Sequence, residues 1–122
     1  MMQATATTFD AGDERPQRDL RTRDGRTSAV MDTFMHGECA LGWRCRYLVV
    51  LLAQLAATGY PMDDHAAAGI ARYSLRTYRK HLATVRDAVG EDPVSFIRSV
   101  VDGDRTVAEW IDALRRHGGI RG

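Results

Sequence analysis

Residues 74–89 read SLRTYRKHLATVRDAV, and their pattern decides the class of fold. Leu75, Tyr78, Leu82, Val85 and Val89 recur at spacings of 3, 4, 3 and 4. That period places them on one face of an α-helix, and Ser74 stands where an N-cap belongs. Arg76, Arg79, Lys80 and Arg86 lie mostly off the stripe. The segment therefore has one face for a core and one cationic face for solvent or a partner.

The neighbouring stretches extend the helical reading. Residues 63–71 form a short helix that Asp63 or Asp64 can cap, with small residues at Ala66, Ala67 and Ala68. Residues 41–58 carry Leu48, Val49, Val50, Leu51, Leu52 and Leu55, apolar on nearly every side. Such a helix belongs in the middle of a bundle, and Gly59 and Pro61 end it. A first helix is expected over 28–36, capped by Ser28, with Val30, Met31, Phe34 and Met35 on one face and Gly37 stopping it. Downstream, Gly90 breaks the chain, and Asp92 followed by Pro93 starts a helix bearing Phe96, Ile97, Val100 and Val101. Thr106 with Glu109 makes a capping box for a last helix carrying Val107, Trp110, Ile111 and Leu114. No segment alternates at period 2 between hairpin turns, and no internal repeat is visible. The expected fold is all-α, a small bundle of about six helices. Residues 28–122 form a single domain, and residues 1–27 form a disordered N-terminal arm without apolar periodicity.

With 122 residues and 13.6 kDa, the chain is too short for a barrel enzyme or a two-domain dinucleotide enzyme. Its composition, 44% hydrophobic and 27% charged, is that of an ordinary globular domain with a modest core. The net charge of +1 is silent about partners, but its distribution is not. Residues 65–86 hold Arg72, Arg76, Arg79, Lys80 and Arg86 and no Asp or Glu, whereas residues 1–29 are balanced and 30–64 and 87–122 are each net acidic. Lys80 is the only lysine, a bias that GC-rich coding explains, so arginine content by itself is no evidence for nucleic acid. The missing acids are better evidence, because coding bias does not exclude them.

Other chemistries find little support. Cys39 and Cys45 are too few for a secreted disulfide scaffold. With His36 they give a His-x2-Cys-x5-Cys spacing that lacks the second half of a zinc site, so buried or free thiols are expected and no metal. A fourth ligand would have to be His65 or an acid. The histidines, His36, His65, His81 and His117, stand near no recognisable nucleophile, and no glycine-rich phosphate loop is present. Asp63 with Asp64, and Glu91 with Asp92, sit at helix starts where capping accounts for them. No catalysis and no cofactor are expected. The longest apolar run, 47–53, is far short of a membrane span, and no apolar leader follows the N-terminus, so a cytoplasmic protein is expected.

Residues 68–82, AGIARYSLRTYRKHL, resemble the DNA-binding helix-turn-helix of many bacterial, phage and plasmid proteins. In that resemblance Ser74, Arg76, Thr77, Tyr78, Arg79, His81 and Leu82 occupy the places of the second helix, and Ala68 the small residue of the first. Where those proteins carry a turn glycine this chain has Arg72, which implies a longer or irregular connection. A looser resemblance, through RTYRKHL and the later GEDP, is to the helix-turn-helix part of filamentous-phage replication initiators.

A helix-turn-helix at about 63–89 implies binding of double-stranded DNA, by a regulator or an accessory factor of a mobile element. Arg72, Ser74, Arg76, Thr77, Arg79, Lys80 and Arg86 are the candidate contacts, arginine for guanine edges and lysine for phosphate. The alternative is a phage-type inhibitor or protein-interaction module that offers the basic helix to an acidic protein. The C-terminal segment either forms a homodimer interface around Trp110 or buries that residue within the monomer.

Overall fold

The computed structural model describes residues 19–35, 39–60 and 63–121. Six α-helices run through them: α1 (Arg23–Met35), α2 (Trp43–Thr58), α3 (Asp64–Ala71), α4 (Leu75–Val89), α5 (Pro93–Asp102) and α6 (Val107–His117). Among the described residues the only β-type pairing is one isolated bridge between Cys39 and Ile120, so the all-α expectation holds. No helix of the described chain is long and apolar enough to cross a membrane.

α2 packs against α1, α3, α4 and α5, as its all-round apolar sequence requires. Leu48, Val49, Leu52 and Ala53 are wholly excluded from water. The second organising element is Trp110 on α6, also wholly buried. Its ring lies 6.0 Å from Phe34 of α1 and meets Phe96 of α5 edge-on at 5.1 Å. Its indole N–H donates to Thr33 Oγ1 at 3.1 Å. Trp110 therefore belongs to the monomer's core and offers no surface of its own to a second copy.

Helix starts follow local chemistry. Asp63, Ser74, Asp92 and Thr106 each accept a backbone N–H of the first turn, and Thr106 and Glu109 complete the capping box. Two starts depart from this pattern: α2 has Gly42 at its N-cap with no side-chain bond, and α1 begins five residues before Ser28 and takes in part of the expected arm. Thr22 Oγ1 accepts from Gly25 N at 3.0 Å, in the place expected of Ser28. A long-range reason lies in two arginines. Arg23 donates to the carbonyl of Ala56 near the C-terminus of α2 at 3.0 Å and pairs with Asp102 at 2.7 Å. Arg26 donates to the carbonyl of Val101 in the last turn of α5 at 3.0 Å. Cations belong at helix C-termini, where the carbonyls lack partners. His36 and Gly37, the expected end of this helix, lie outside the described residues.

The inner face of α4 is close to expectation, with a small rotation. Tyr78, Val85 and Val89 are buried, but Leu75 and Leu82 are half-buried at its edge. Ala88 is buried instead, because α6 and the chain after it come close there. A Cβ on Gly119 would lie 2.5 Å from the Leu114 side chain and 3.0 Å from the Ala88 carbonyl, so a larger residue there would have to push both aside.

Truncating Trp110 removes contacts to α1 and α5 at once. Trp110→Ala is expected to cost about 3–5 kcal/mol, a large part of a small domain's stability. Chemical denaturation of the two proteins measures it, and a loss below ~1 kcal/mol would contradict this description of the core.

Candidate nucleic-acid interface

Two helices and the turn between them, residues 72–74, form the region that the sequence singles out. α3 packs only on α4 and α2. It comes close because Ala67, Ala68 and Ala71 are buried and carry almost no side-chain bulk. The expected longer or irregular connection is not found. Arg72 adopts the left-handed conformation, φ 63° and ψ 36°. Its N–H bonds the Gly69 carbonyl at 3.2 Å, and the Tyr73 N–H bonds the Ala68 carbonyl at 3.0 Å. This is the Schellman arrangement usually closed by glycine, here closed by arginine. An L-residue in that conformation carries a strain of roughly 1–2 kcal/mol.

After the turn, Ser74 caps α4 by accepting from Thr77 N at 3.1 Å and donates its own proton to Thr77 Oγ1 at 3.0 Å. Both hydroxyls thus hold the helix start, and Thr77 is half-buried. Tyr78 faces inward and is wholly buried, and its hydroxyl has no hydrogen-bond partner. Burial, reinforced by the carboxylates of Asp64, Asp92 and Asp63, pushes the phenol up to about 12. This side chain holds the helix in place and is closed to a ligand.

The five cations of the acid-free stretch all reach the surface, but they are not equivalent. Arg72, Arg76, Lys80 and Arg86 are exposed, and no ion pair among the described residues engages them. Arg79 is also exposed, but its Nε lies 3.1 Å from Asp64 Oδ2. Arg79 and Arg86 share a shallow groove of about 330 Å³ with Asp64 and Asp92. A stretch without acids in sequence thus meets two acids in space, contributed by the starts of α3 and α5. Arg72, Arg76 and Lys80 are the unopposed part of the set.

A neighbouring cluster escapes sequence reasoning. The first turn of α2 lies beside the turn, where the Tyr73 hydroxyl donates to the Arg44 carbonyl at 3.3 Å. The Tyr73 ring meets Tyr47 edge-on at 6.1 Å and lies 5.3 Å from His81. Arg44 sits 5.3 Å above the ring of Trp43, which is 68% exposed. The local pattern around Trp43 and Arg44 suggests only the outer end of an apolar helix, so nothing in it could have placed them next to α4.

Cys45 Sγ lies 3.8 Å from His81 Nδ1. Burial, with help from Cys39, raises the thiol, while burial and the charges of Arg44 and Lys80 lower the imidazole. Both shifts favour the neutral forms, so the pair is a thiol beside an uncharged ring and not a thiolate nucleophile. Cys39 and Cys45 are buried free thiols. Among the described residues no three His, Cys, Asp or Glu side chains converge as a metal site; His65 is exposed on α3, and His36 lies outside those residues. Comparison with protein-family models, with curated proteins and with solved structures finds no match to this chain.

Two outcomes are expected. Arg72→Gly relieves the left-handed strain and should raise stability by about 0.5–1 kcal/mol, less than the full strain because glycine gains entropy in the unfolded chain. Thermal melting reads the gain. His81 should give the protein a pH-dependent stability. Its native affinity for a proton is lower than the ordinary value of 6.5, so the unfolded chain binds more protons in that window. Stability then falls as pH drops below about 6.5 toward the lowered native value, and levels off beneath it. Melting across that range should show a shallower slope in His81→Gln.

Proposed function

We propose that this protein binds double-stranded DNA through the outer face of α4, with no chemistry of its own. The observation that carries the reading is a set of exposed, unopposed cations on a helix whose other face is locked into the core. Arg76 and Lys80 project from that helix, and Arg72 from the turn before it. The inner residues Tyr78, Val85 and Val89 hold the helix against the bundle, so the cations are presented on a rigid support. A capped helix with cations on its outer face suits the major groove, where arginine can grip a guanine edge and lysine a phosphate. The resemblance to helix-turn-helix proteins points the same way and suggests a regulator or an accessory factor of a mobile element.

The ion pair of Arg79 with Asp64 ranks the contacts. An exposed pair of this kind is worth about 0.2–1 kcal/mol, so Arg79 can leave it for DNA at small cost. Arg76 has no such pair to break. Arg76→Ala should therefore weaken binding more than Arg79→Ala, by about 1–3 kcal/mol if Arg76 reads a base. Lys80→Ala should weaken binding to all sequences alike and flatten the slope of log affinity against log salt by about 0.9. Binding of duplexes from low to moderate salt measures all three variants, and circular dichroism should find their helicity unchanged. A wild-type protein that binds no duplex at low salt would transfer the basic face to an acidic protein partner.

A further inference from the structure

We infer that the DNA-binding surface continues from α4 onto the first turn of α2, where Trp43 and Arg44 grip the sugar–phosphate backbone of the same duplex. This rests on the reading of α4 as the DNA-binding helix. The two regions form one continuous surface. Tyr73 leaves the turn, bonds the Arg44 carbonyl at 3.3 Å and stacks toward His81 of α4 at 5.3 Å. Its ring also braces Tyr47, one helical turn after Trp43. Tyr47 and Tyr73 are thus set in place before any partner arrives, which lowers the cost of ordering them on binding.

Among the described residues nothing buries the rings of Trp43 and Tyr47. Trp43 is 68% exposed and Tyr47 41%, whereas the other tryptophan, Trp110, is wholly buried. Exposed aromatic residues beside an arginine are the composition of a contact surface. The charge specifies the partner. No Asp or Glu occurs anywhere in 39–62, although the first turn of a helix ordinarily favours them. Arg46 is engaged by the carbonyls of Leu41 and Cys39, at 2.8 and 3.1 Å. Arg44 has no carboxylate partner among the described residues and lies over the Trp43 ring at 5.3 Å. An unopposed guanidinium on an exposed indole fits a polyanion, with phosphate against the guanidinium and deoxyribose against the indole.

The arrangement supplies its own probe. Trp43 is the tryptophan that water reaches, so acrylamide should quench its emission in the free protein and leave Trp110 dark to the quencher. A short random-sequence duplex at low salt should protect Trp43, and Trp43→Phe should abolish that change. Arg44→Ala should weaken binding several-fold and flatten the salt slope by about 0.9, with melting unchanged. Duplex binding that leaves the quenching of Trp43 and the affinity of Arg44→Ala untouched would overturn this extension while leaving α4 as the interface. Protection of Trp43 that rises with protein concentration without DNA would also overturn it, in favour of a second copy of the chain. Failure of the wild-type protein to bind duplex would remove both readings together.

Discussion

The rotation of α4 about its own axis is the constraint on which the rest depends. Tyr78, Val85 and Val89 are buried and Ala88 closes the same face, so the helix has one seating. Each fully buried side chain of this size gains about 1.5–3 kcal/mol from leaving water. Turning the helix to bury Arg76 or Lys80 would forfeit that gain and strand a charge in the core. The inner face therefore dictates the outer one. Arg76 and Lys80 face open solvent because the core leaves them no alternative.

The turn before α4 illustrates how a fold tolerates a locally unfavourable residue. Glycine is the usual closure for such a turn, and Arg72 holds the same geometry at a strain of the order of 1–2 kcal/mol. Backbone bonds from Arg72 and Tyr73 satisfy the last carbonyls of α3, and Tyr73 goes on to contact α2. A residue that makes the turn costlier also places a guanidinium at the edge of the basic face.

Much of the fold was legible because it is locally encoded. The caps at Asp63, Ser74, Asp92 and Thr106 and the apolar period of α4 are short-range signals, and each element appears where those signals put it. The start of α1 was less legible because its cap, Thr22, is only part of its support, and Arg23 and Arg26, reaching the ends of α2 and α5, hold it from far along the chain. The place of Trp110 was left open for the same reason, since an amphipathic helix does not say which surface it will meet. In the candidate site the cations of 65–86 were legible as surface groups. Their ranking was not, because Asp64 and Asp92 are brought alongside Arg79 and Arg86 only by the meeting of three helices. The adjacency of Trp43 and Arg44 to α4 passes through Tyr73 and has no trace in the local sequence.

The central claim is that the locked helix α4 presents its outer face to duplex DNA. It is tested most directly by following the backbone amide signals of the isotope-labelled protein by NMR as a random-sequence duplex is added at low salt. The account predicts shifts concentrated on residues 72–86, reversed by added salt, with the interior of α5 and α6 unmoved. Signals that stay in place throughout, or that move on the α5–α6 side while 72–86 remain still, would contradict it.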